Sequence, residues 1–245
     1  MIEKVEGIVL NEKPYSETSK IINVITKEHG IVGILAKGAL NLKSELRSVT
    51  AKLTYGYFYI YYKENKLSTL KSVDIIDSLK FIKKDLTKIS FASYLIDLAS
   101  QVMKQNNNEL VYQLLVQSLL KINEGYDPLV ITNILELKYL DYLGIMPILD
   151  SCSICGSKKD IITISSYRGG YVCKKCHTNE IIVNLKTIKL IRMFYYVNIS
   201  NITNLNISVE IKNEINKFLS DYYDRYTGLY LKSKSFLKNI IKLNE

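Results

Sequence analysis

Apolar and polar residues alternate along the first third of the chain, which is the pattern of β-strands. The strands predicted from this alternation cover residues 4–10, 20–26, 31–36, 53–62 and 66–76. Five short strands without helical periodicity indicate a small barrel, since a sandwich would need about seven. In the fourth strand Tyr57 and Tyr59 share one face, and Phe58 and Ile60 share the other. Gly56 predicts a bulge that bends this strand around the barrel.

From residue 79 onward, apolar residues recur at intervals of three and four, which predicts helices that bury one face. The first stripe consists of Leu79, Ile82, Leu86, Ile89, Ala92, Ile96, Ala99 and Met103. Further helices are predicted over 109–122, 128–143, 184–198, 208–226 and 230–243. The chain is therefore expected to be an α+β protein with four segments. These are a barrel (1–78), a helical part (79–148), a cysteine-rich insertion (149–180) and a second helical part (181–245).

The overall composition is that of a folded globular protein. Hydrophobic residues make up 47% and charged residues 23% of the 245 positions, which excludes disordered, collagen-like and coiled-coil classes. No apolar run approaches the roughly 18 residues of a membrane span. Acidic residues stand near the N-terminus, where a signal peptide would need apolar ones. We therefore expect a cytoplasmic protein without a membrane partner.

Basic residues outnumber acidic ones by 33 to 24, which gives a net charge of +9. The excess lies toward the two ends of the chain and around the cysteines. This balance favours a polyanionic partner without identifying it.

Four cysteines carry the strongest local signal. Cys152 and Cys155 form one C-x2-C pair, and Cys173 and Cys176 form a second pair, with 17 residues between the two pairs. This spacing is typical of a structural zinc site, in which four thiolates leave no open coordination position for catalysis. The alternatives are a disulfide, a thioredoxin-like dithiol and a site that has lost its metal. His177 is an alternative ligand, although a solvent-facing role suits it better.

Common enzyme motifs are absent from the sequence. It contains no P-loop, metalloprotease, nucleophile-elbow or dinucleotide-binding pattern. The only histidines are His29 and His177, and His29 is expected in a turn between strands. These absences favour a binding protein over an enzyme.

Several short motifs together resemble the RecO family of bacterial DNA repair and recombination mediators. In the first segment they are Gly7-Ile8-Val9-Leu10, Tyr15-Ser16-Glu17, Thr26-Lys27-Glu28-His29-Gly30, Ala36-Lys37-Gly38-Ala39 and Lys43-Ser44. Farther along they are Tyr142-Leu143-Gly144-Ile145 with Pro147, Cys152 to Gly156, Gly169-Gly170 before Cys173 and Cys176, Arg225-Tyr226 and Leu231-Lys232-Ser233. The order and spacing of these motifs carry the resemblance over nearly the whole chain.

The resemblance implies an OB-fold N-terminal barrel followed by an all-α domain with a four-cysteine zinc-finger insertion. It also implies binding to single- and double-stranded DNA and annealing of complementary strands. The implied partners are RecR, single-stranded DNA-binding protein and, indirectly, RecA. Family members act with RecR to load RecA onto DNA that is coated by single-stranded DNA-binding protein. Family members are not known as enzymes and work at the nucleoid.

An OB-fold holds nucleic acid in a groove where basic side chains meet phosphates and aromatic rings stack on bases. The candidate basic residues of the barrel are Lys37, Lys43, Arg47, Lys52, Lys63, Lys66 and Lys71. Tyr57 and Tyr59 are candidate stacking residues, although packing in the core or at its rim suits their rings better. Arg225 and Lys232, near the end of the chain, either add to these basic contacts or face water.

Two other functions remain open from the residues. One is a zinc-ribbon assembly factor that binds RNA or protein in the translation or transcription machinery. The other is an enzyme with a cysteine-bound lid, as in some nucleotide kinases, although the missing phosphate loop disfavours it.

Overall fold

The computed structural model describes residues 1–203 and 206–243, which form two compact units. The first unit comprises Met1–Gly125 together with the segment that begins at Leu231, and the second comprises Tyr126–Tyr230. The division of the sequence after residues 78, 148 and 180 stays a prediction. Residues 204, 205, 244 and 245 of its last segment lie outside the described part.

Five strands of the first unit close into a barrel, which confirms the predicted five-stranded OB-fold architecture. The strands are β1 (Glu3–Pro14), β2 (Lys20–Thr26), β3 (Gly30–Ala36), β4 (Tyr55–Tyr61) and β5 (Ser68–Asp77). Their order is β1-β2-β3-β5-β4, and β4 pairs back with β1. All pairs are antiparallel except β3 with β5, where only Ile34 pairs with Ser68 and Leu35 with Thr69. The barrel is therefore closed most weakly along this short parallel seam.

Alternate residues of each strand fill the barrel. Its fully buried core includes Val5, Ile22, Val24, Ile34, Phe58 and Ile60. Burying each such side chain stabilises the fold by roughly 1.5–3 kcal/mol. The β4–β5 register shifts at Gly56, where a methyl group would lie 2.5 Å from the Asp74 carbonyl oxygen. The bulge predicted at Gly56 is confirmed.

Eight α-helices lie in the described residues. They are α1 (Leu46–Val49), α2 (Lys80–Lys83), α3 (Leu86–Gln105), α4 (Glu109–Glu124), α5 (Pro128–Tyr142), α6 (Leu185–Tyr196), α7 (Val209–Tyr226) and α8 (Lys232–Leu243). The first unit holds α1 to α4 and α8, and the second holds α5 to α7. Asp127 caps α5 through the backbone N–H of Leu129, and Pro128 occupies its first turn. None of these helices has the length and apolarity to cross a bilayer.

The long stripe predicted from residue 79 is divided between α2 and α3. The Asp85 side chain accepts a hydrogen bond from the Lys88 backbone N–H at 3.0 Å and starts α3 afresh. Leu86 is consequently 64% exposed, contrary to its place in the stripe. Farther along α3, Tyr94 and Leu98 are buried outside the stripe, because the barrel, α4 and α8 all pack against this helix.

A half-buried carboxylate links the barrel to α4. Glu6 of β1 accepts hydrogen bonds from the hydroxyl groups of Tyr55 at 2.7 Å and Tyr112 at 3.2 Å. Burial, followed by the charge of Glu6, raises the pKa of Tyr112 well above its usual value. The Tyr112 hydroxyl therefore stays protonated and serves as a donor to Glu6.

The second unit contains a small sheet that the sequence pattern does not predict. Its strands are β6 (Ile148–Cys152), β7 (Ile161–Ser165) and β8 (Gly170–Cys173), in the order β6-β8-β7. The pairing of β6 with β8 is parallel and that of β7 with β8 is antiparallel. Strands of four or five residues are too short to show a clear alternation, so the region resembles a loop in the sequence.

Candidate metal centre and nucleic-acid interface

The small sheet brings the four cysteines together. Cys152 ends β6 and Cys173 ends β8, and because these strands are parallel their ends lie side by side. All four sulfur atoms lie within 4.8 Å of one another, and the Cys155 and Cys173 sulfurs are 3.7 Å apart. Tetrahedral zinc at about 2.3 Å from each thiolate separates its sulfurs by roughly 3.8 Å. This arrangement fits a metal ion and is too open for a disulfide, whose sulfurs lie about 2.0 Å apart.

Tight turns aim each cysteine pair at the common point. The Gly156 N–H donates to the Cys152 carbonyl at 2.9 Å, and the Cys176 N–H donates to the Cys173 carbonyl at 3.0 Å. The Cys173 N–H also lies 3.5 Å from the Cys152 sulfur. Although burial opposes ionisation of Cys152, the backbone N–H groups of Cys155, Cys173 and Ile154 lower its pKa to about 6. The backbone therefore favours the thiolate form that a metal requires.

His177 is engaged elsewhere. Its Nε2 lies 2.8 Å from the Glu180 carbonyl oxygen. Among the described residues, the group that could hold a metal ion consists of the four cysteines. The exposed residues Lys158 and Lys159 follow the first pair, and the exposed residues Lys174 and Lys175 lie between Cys173 and Cys176. Their charges offset that of the thiolates.

Gly170 lets β6 and β8 approach each other. Its φ angle is +152°, and a methyl group there would lie 2.3 Å from the Ile148 carbonyl oxygen. A side chain at this position would push the two strands apart. The cysteine cluster therefore depends on a glycine that precedes Cys173 by three positions.

The basic residues predicted to contact nucleic acid are all exposed but fall into several places. Lys37, Lys43, Arg47 and Lys52 lie in the connection between β3 and β4, Lys63 and Lys66 in the β4–β5 hairpin, and Lys71 on β5. Arg225 lies at the end of α7 in the second unit. Lys232 begins α8 in the first unit. The predicted C-terminal pair is thus divided between the two units.

A groove with a cavity volume of about 340 Å³ follows the open part of the β3–β5 seam. Its lining includes Lys63 and Lys66 from the β4–β5 hairpin and Gly33 from β3. The seam is open here because β5 pairs with β3 only at Ile34 and Leu35. The groove therefore places two lysines beside a strand edge.

The aromatic part of this groove was not predicted. The rings of His29 and Tyr62 stack with centroids 4.1 Å apart and planes inclined by 15°. The sequence predicts a turn at His29, where it does lie, and a strand over residues 53–62, whereas Tyr62 follows the end of β4. The Glu3 carboxylate contacts the His29 ring. Because the two rings come from separate turns, local periodicity carries no signal for their contact.

Tyr57 and Tyr59 lie outside the lining of this groove. The Lys4 ammonium is 3.7 Å from the centroid of the Tyr57 ring. The Tyr59 hydroxyl donates to Asp74 at 3.0 Å, and this hydrogen bond is the main cause that raises the pKa of Tyr59. Both tyrosines are half-buried on the outside of β4, beside charged side chains.

Lys52 is directed toward α3. Its Nζ donates to the Ser93 hydroxyl at 3.1 Å. Partial burial lowers the pKa of Lys52, an effect that nearby Asp97 partly offsets. Its ammonium group is therefore less available to a phosphate than that of Lys63 or Lys66.

Comparison with known proteins places the whole chain in one family. Residues 1–79 match the family model described as "Recombination protein O N terminal", and residues 83–235 match "Recombination protein O C terminal". The DNA repair protein RecO of Listeria monocytogenes serotype 4b (strain CLIP80459) is 35% identical over 98% of this chain and 96% of its own length. That of Bacillus subtilis (strain 168) is 36% identical over 97% of this chain and 94% of its own length. The barrel, the helices and the cysteine cluster thus belong to a member of the RecO family.

Proposed function

We propose that this protein is a mediator of DNA repair and homologous recombination that binds single- and double-stranded DNA. Family membership over nearly the full chain supports a role in repair, because the curated relatives are named DNA repair proteins. The groove at the β3–β5 seam is the observation that carries the binding mode. It combines cationic side chains with a stacked aromatic pair, which are the two components of single-strand recognition.

In the proposed binding mode, Lys63 and Lys66 contact phosphates while the His29–Tyr62 stack is extended by a base. The other candidate contacts are Lys37, Lys43, Arg47, Lys52, Lys71, Tyr57, Tyr59, Arg225 and Lys232. Phosphate and stacking contacts carry little information about base identity, so sequence preference is expected to be slight. We give the groove priority because its two lysines share one cavity, whereas Tyr57 and Tyr59 are already engaged by Lys4 and Asp74.

We also propose that the protein anneals complementary strands without chemical transformation. A cationic surface reduces the repulsion between two strands, and weak, sequence-tolerant contacts let them search for register. With RecR, this activity would help to load RecA onto DNA coated by single-stranded DNA-binding protein, at the nucleoid in the cytoplasm.

The cysteine cluster is proposed to hold one structural Zn²⁺ through Cys152, Cys155, Cys173 and Cys176. The 3.7 Å sulfur separation and the Cys173 N–H directed at the Cys152 sulfur support this assignment. When bound, the ion would crosslink the ends of β6 and β8. Four sulfur ligands leave no position for substrate, so its role is structural.

The double variant Lys63→Ala/Lys66→Ala tests the groove. Binding to an unstructured single-stranded oligonucleotide is measured by fluorescence anisotropy over a series of salt concentrations. We expect roughly tenfold weaker binding at low salt, and a salt slope shallower by about 1.4 because two phosphate contacts are lost. Annealing measured without ATP, with and without RecR on protein-coated strands, should slow in parallel.

Lys80→Ala/Lys84→Ala is the matched control, because it removes the same charge from exposed positions at α2. It should bind and anneal nearly like the parent protein. If the groove variant retained the parent's salt slope and annealing rate, the proposed binding mode would be wrong.

A further inference from the structure

A second aromatic and cationic cluster lies in the unit that carries the cysteines. Tyr167 occupies the turn between β7 and β8, and its side chain is 66% exposed. The Arg225 guanidinium carbon is 5.1 Å from the centroid of the Tyr167 ring, and that of Arg168 is 5.4 Å from it. The Tyr226 hydroxyl donates to the Tyr167 carbonyl at 3.4 Å. One exposed ring is thus flanked by two cations from different elements.

The turn that presents Tyr167 is held by its own hydrogen bonds. The Arg168 N–H donates to the Ser165 hydroxyl at 3.2 Å, and the Gly169 N–H donates to the Ser166 carbonyl at 3.3 Å. The chain then enters β8, which leads directly to Cys173. The ring is therefore presented on a short, hydrogen-bonded hairpin.

The two arginines are unequal. Arg168 forms an ion pair with Glu180, with 3.1 Å between Nε and Oε1. Arg225 is exposed and, in the described part of the chain, forms no ion pair with a carboxylate. The Arg225 charge is available to an external anion, while Arg168 is held beside the ring.

We propose that Tyr167, Arg225 and Arg168 form a second nucleic-acid contact, which stacks an unpaired base on the Tyr167 ring and binds the adjacent phosphate through Arg225. This inference rests on the proposed DNA-binding function and adds a site on the second unit. A nucleotide is the ligand class that combines a planar ring with a negative charge, as this cluster requires. An acidic peptide would pair with the arginines but would make no use of the exposed Tyr167 ring.

A contact on each unit gives the annealing function a physical basis. The barrel groove would hold one segment of single strand, and the Tyr167 cluster would hold another. Both contacts leave the base-pairing edges free, since stacking uses the face of a base.

Oligonucleotides with and without bases test the Tyr167 cluster. Affinities are measured by anisotropy for an oligothymidylate and for an abasic strand of the same length, with the full-length protein. Tyr167→Ala should weaken oligothymidylate binding about fivefold or more and should reduce the preference for the strand with bases. Tyr167→Phe should retain the parent's affinity for oligothymidylate and its preference for the strand with bases, because it keeps the ring. Arg225→Ala should weaken binding to both strands, since it removes a phosphate contact.

Lys189→Ala, an exposed cation on α6 of the same unit, is the charge control and should have little effect. Equal thermal unfolding midpoints would show that the variants fold. If the parent protein bound neither strand, the proposed function itself would fail. If Lys63→Ala/Lys66→Ala weakened binding while Tyr167→Ala left both affinity and base preference unchanged, only the second contact would be wrong.

Discussion

Gly170 illustrates how a single backbone position controls the metal centre. A methyl group there meets the Ile148 carbonyl oxygen at 2.3 Å, and the opposing atom belongs to the backbone and cannot rotate away. We expect Gly170→Ala to lower the stability of the second unit by about 2 kcal/mol or more, through strain and separation of β6 from β8. The thermal unfolding midpoint and the zinc content of the purified protein measure the effect.

Gly144→Ala is the matched control for this prediction. Gly144 also has a positive φ angle, +71°, but a methyl group there would meet no atom within 4 Å. This variant should lower the free energy of unfolding by only about 1 kcal/mol and should retain its metal. Equal losses in the two variants would contradict the role assigned to the approach of β6 and β8.

Single residues differed in how far the sequence could predict them. The cysteine set was predictable because its spacing encodes two tight turns, and the structure brings all four sulfurs together. The His29–Tyr62 stack and the Tyr167–Arg225 contact were not, because each joins residues from separate elements. Such contacts depend on tertiary structure, which local periodicity does not encode.

Among the elements, the barrel strands and the long helices were predictable from their periods. Short elements escaped prediction, since α1 and the strands β6 to β8 each contain five residues or fewer. The Asp85 cap divided a stripe that looked continuous, because one hydrogen-bonding side chain can start a new helix without disturbing the apolar spacing.

The small sheet should depend on the metal more than the barrel does. Its strands are short, and Cys152 and Cys173 end two of them. Hydrogen exchange with and without a strong chelator should therefore show faster exchange over residues 148–176 when metal is removed. The strands of the barrel should keep their protection, and Cys155→Ser should reproduce the effect without chelator. Unchanged exchange in the small sheet after verified metal loss would contradict a structural role for the ion.

Buried tyrosines make the whole molecule sensitive to alkali. Burial raises the pKa of Tyr112, Tyr139 and Tyr223 above the value near 10 that they have in an unfolded chain. The folded state therefore keeps protons that the unfolded state releases at high pH. The stabilisation by these tyrosines is fully present below about pH 10, and the free energy of unfolding falls as the pH rises above it. Each such tyrosine contributes a slope of about 1.4 kcal/mol per pH unit. We expect cooperative unfolding in this range, with tyrosinate absorbance and loss of helical circular dichroism changing together.

Tyr139→Phe should reduce the steepness of this alkaline transition by about one proton, if the variant folds at neutral pH. Tyr15→Phe, at a residue that is 62% exposed, should leave it unchanged. Titration of all tyrosines near pH 10 with the helices intact would show that the buried hydroxyls are not protected.

The path of the chain through the two units also has a consequence for biosynthesis. The barrel unit includes α8, which packs against α3 and is joined to it by the hydrogen bond from Ser233 to Asp97 at 2.7 Å. A ribosome must therefore translate the whole second unit, Tyr126–Tyr230, before α8 can emerge. Until then the apolar side of α3 that α8 covers stays exposed on the nascent polypeptide, where it is accessible to chaperones that bind apolar segments.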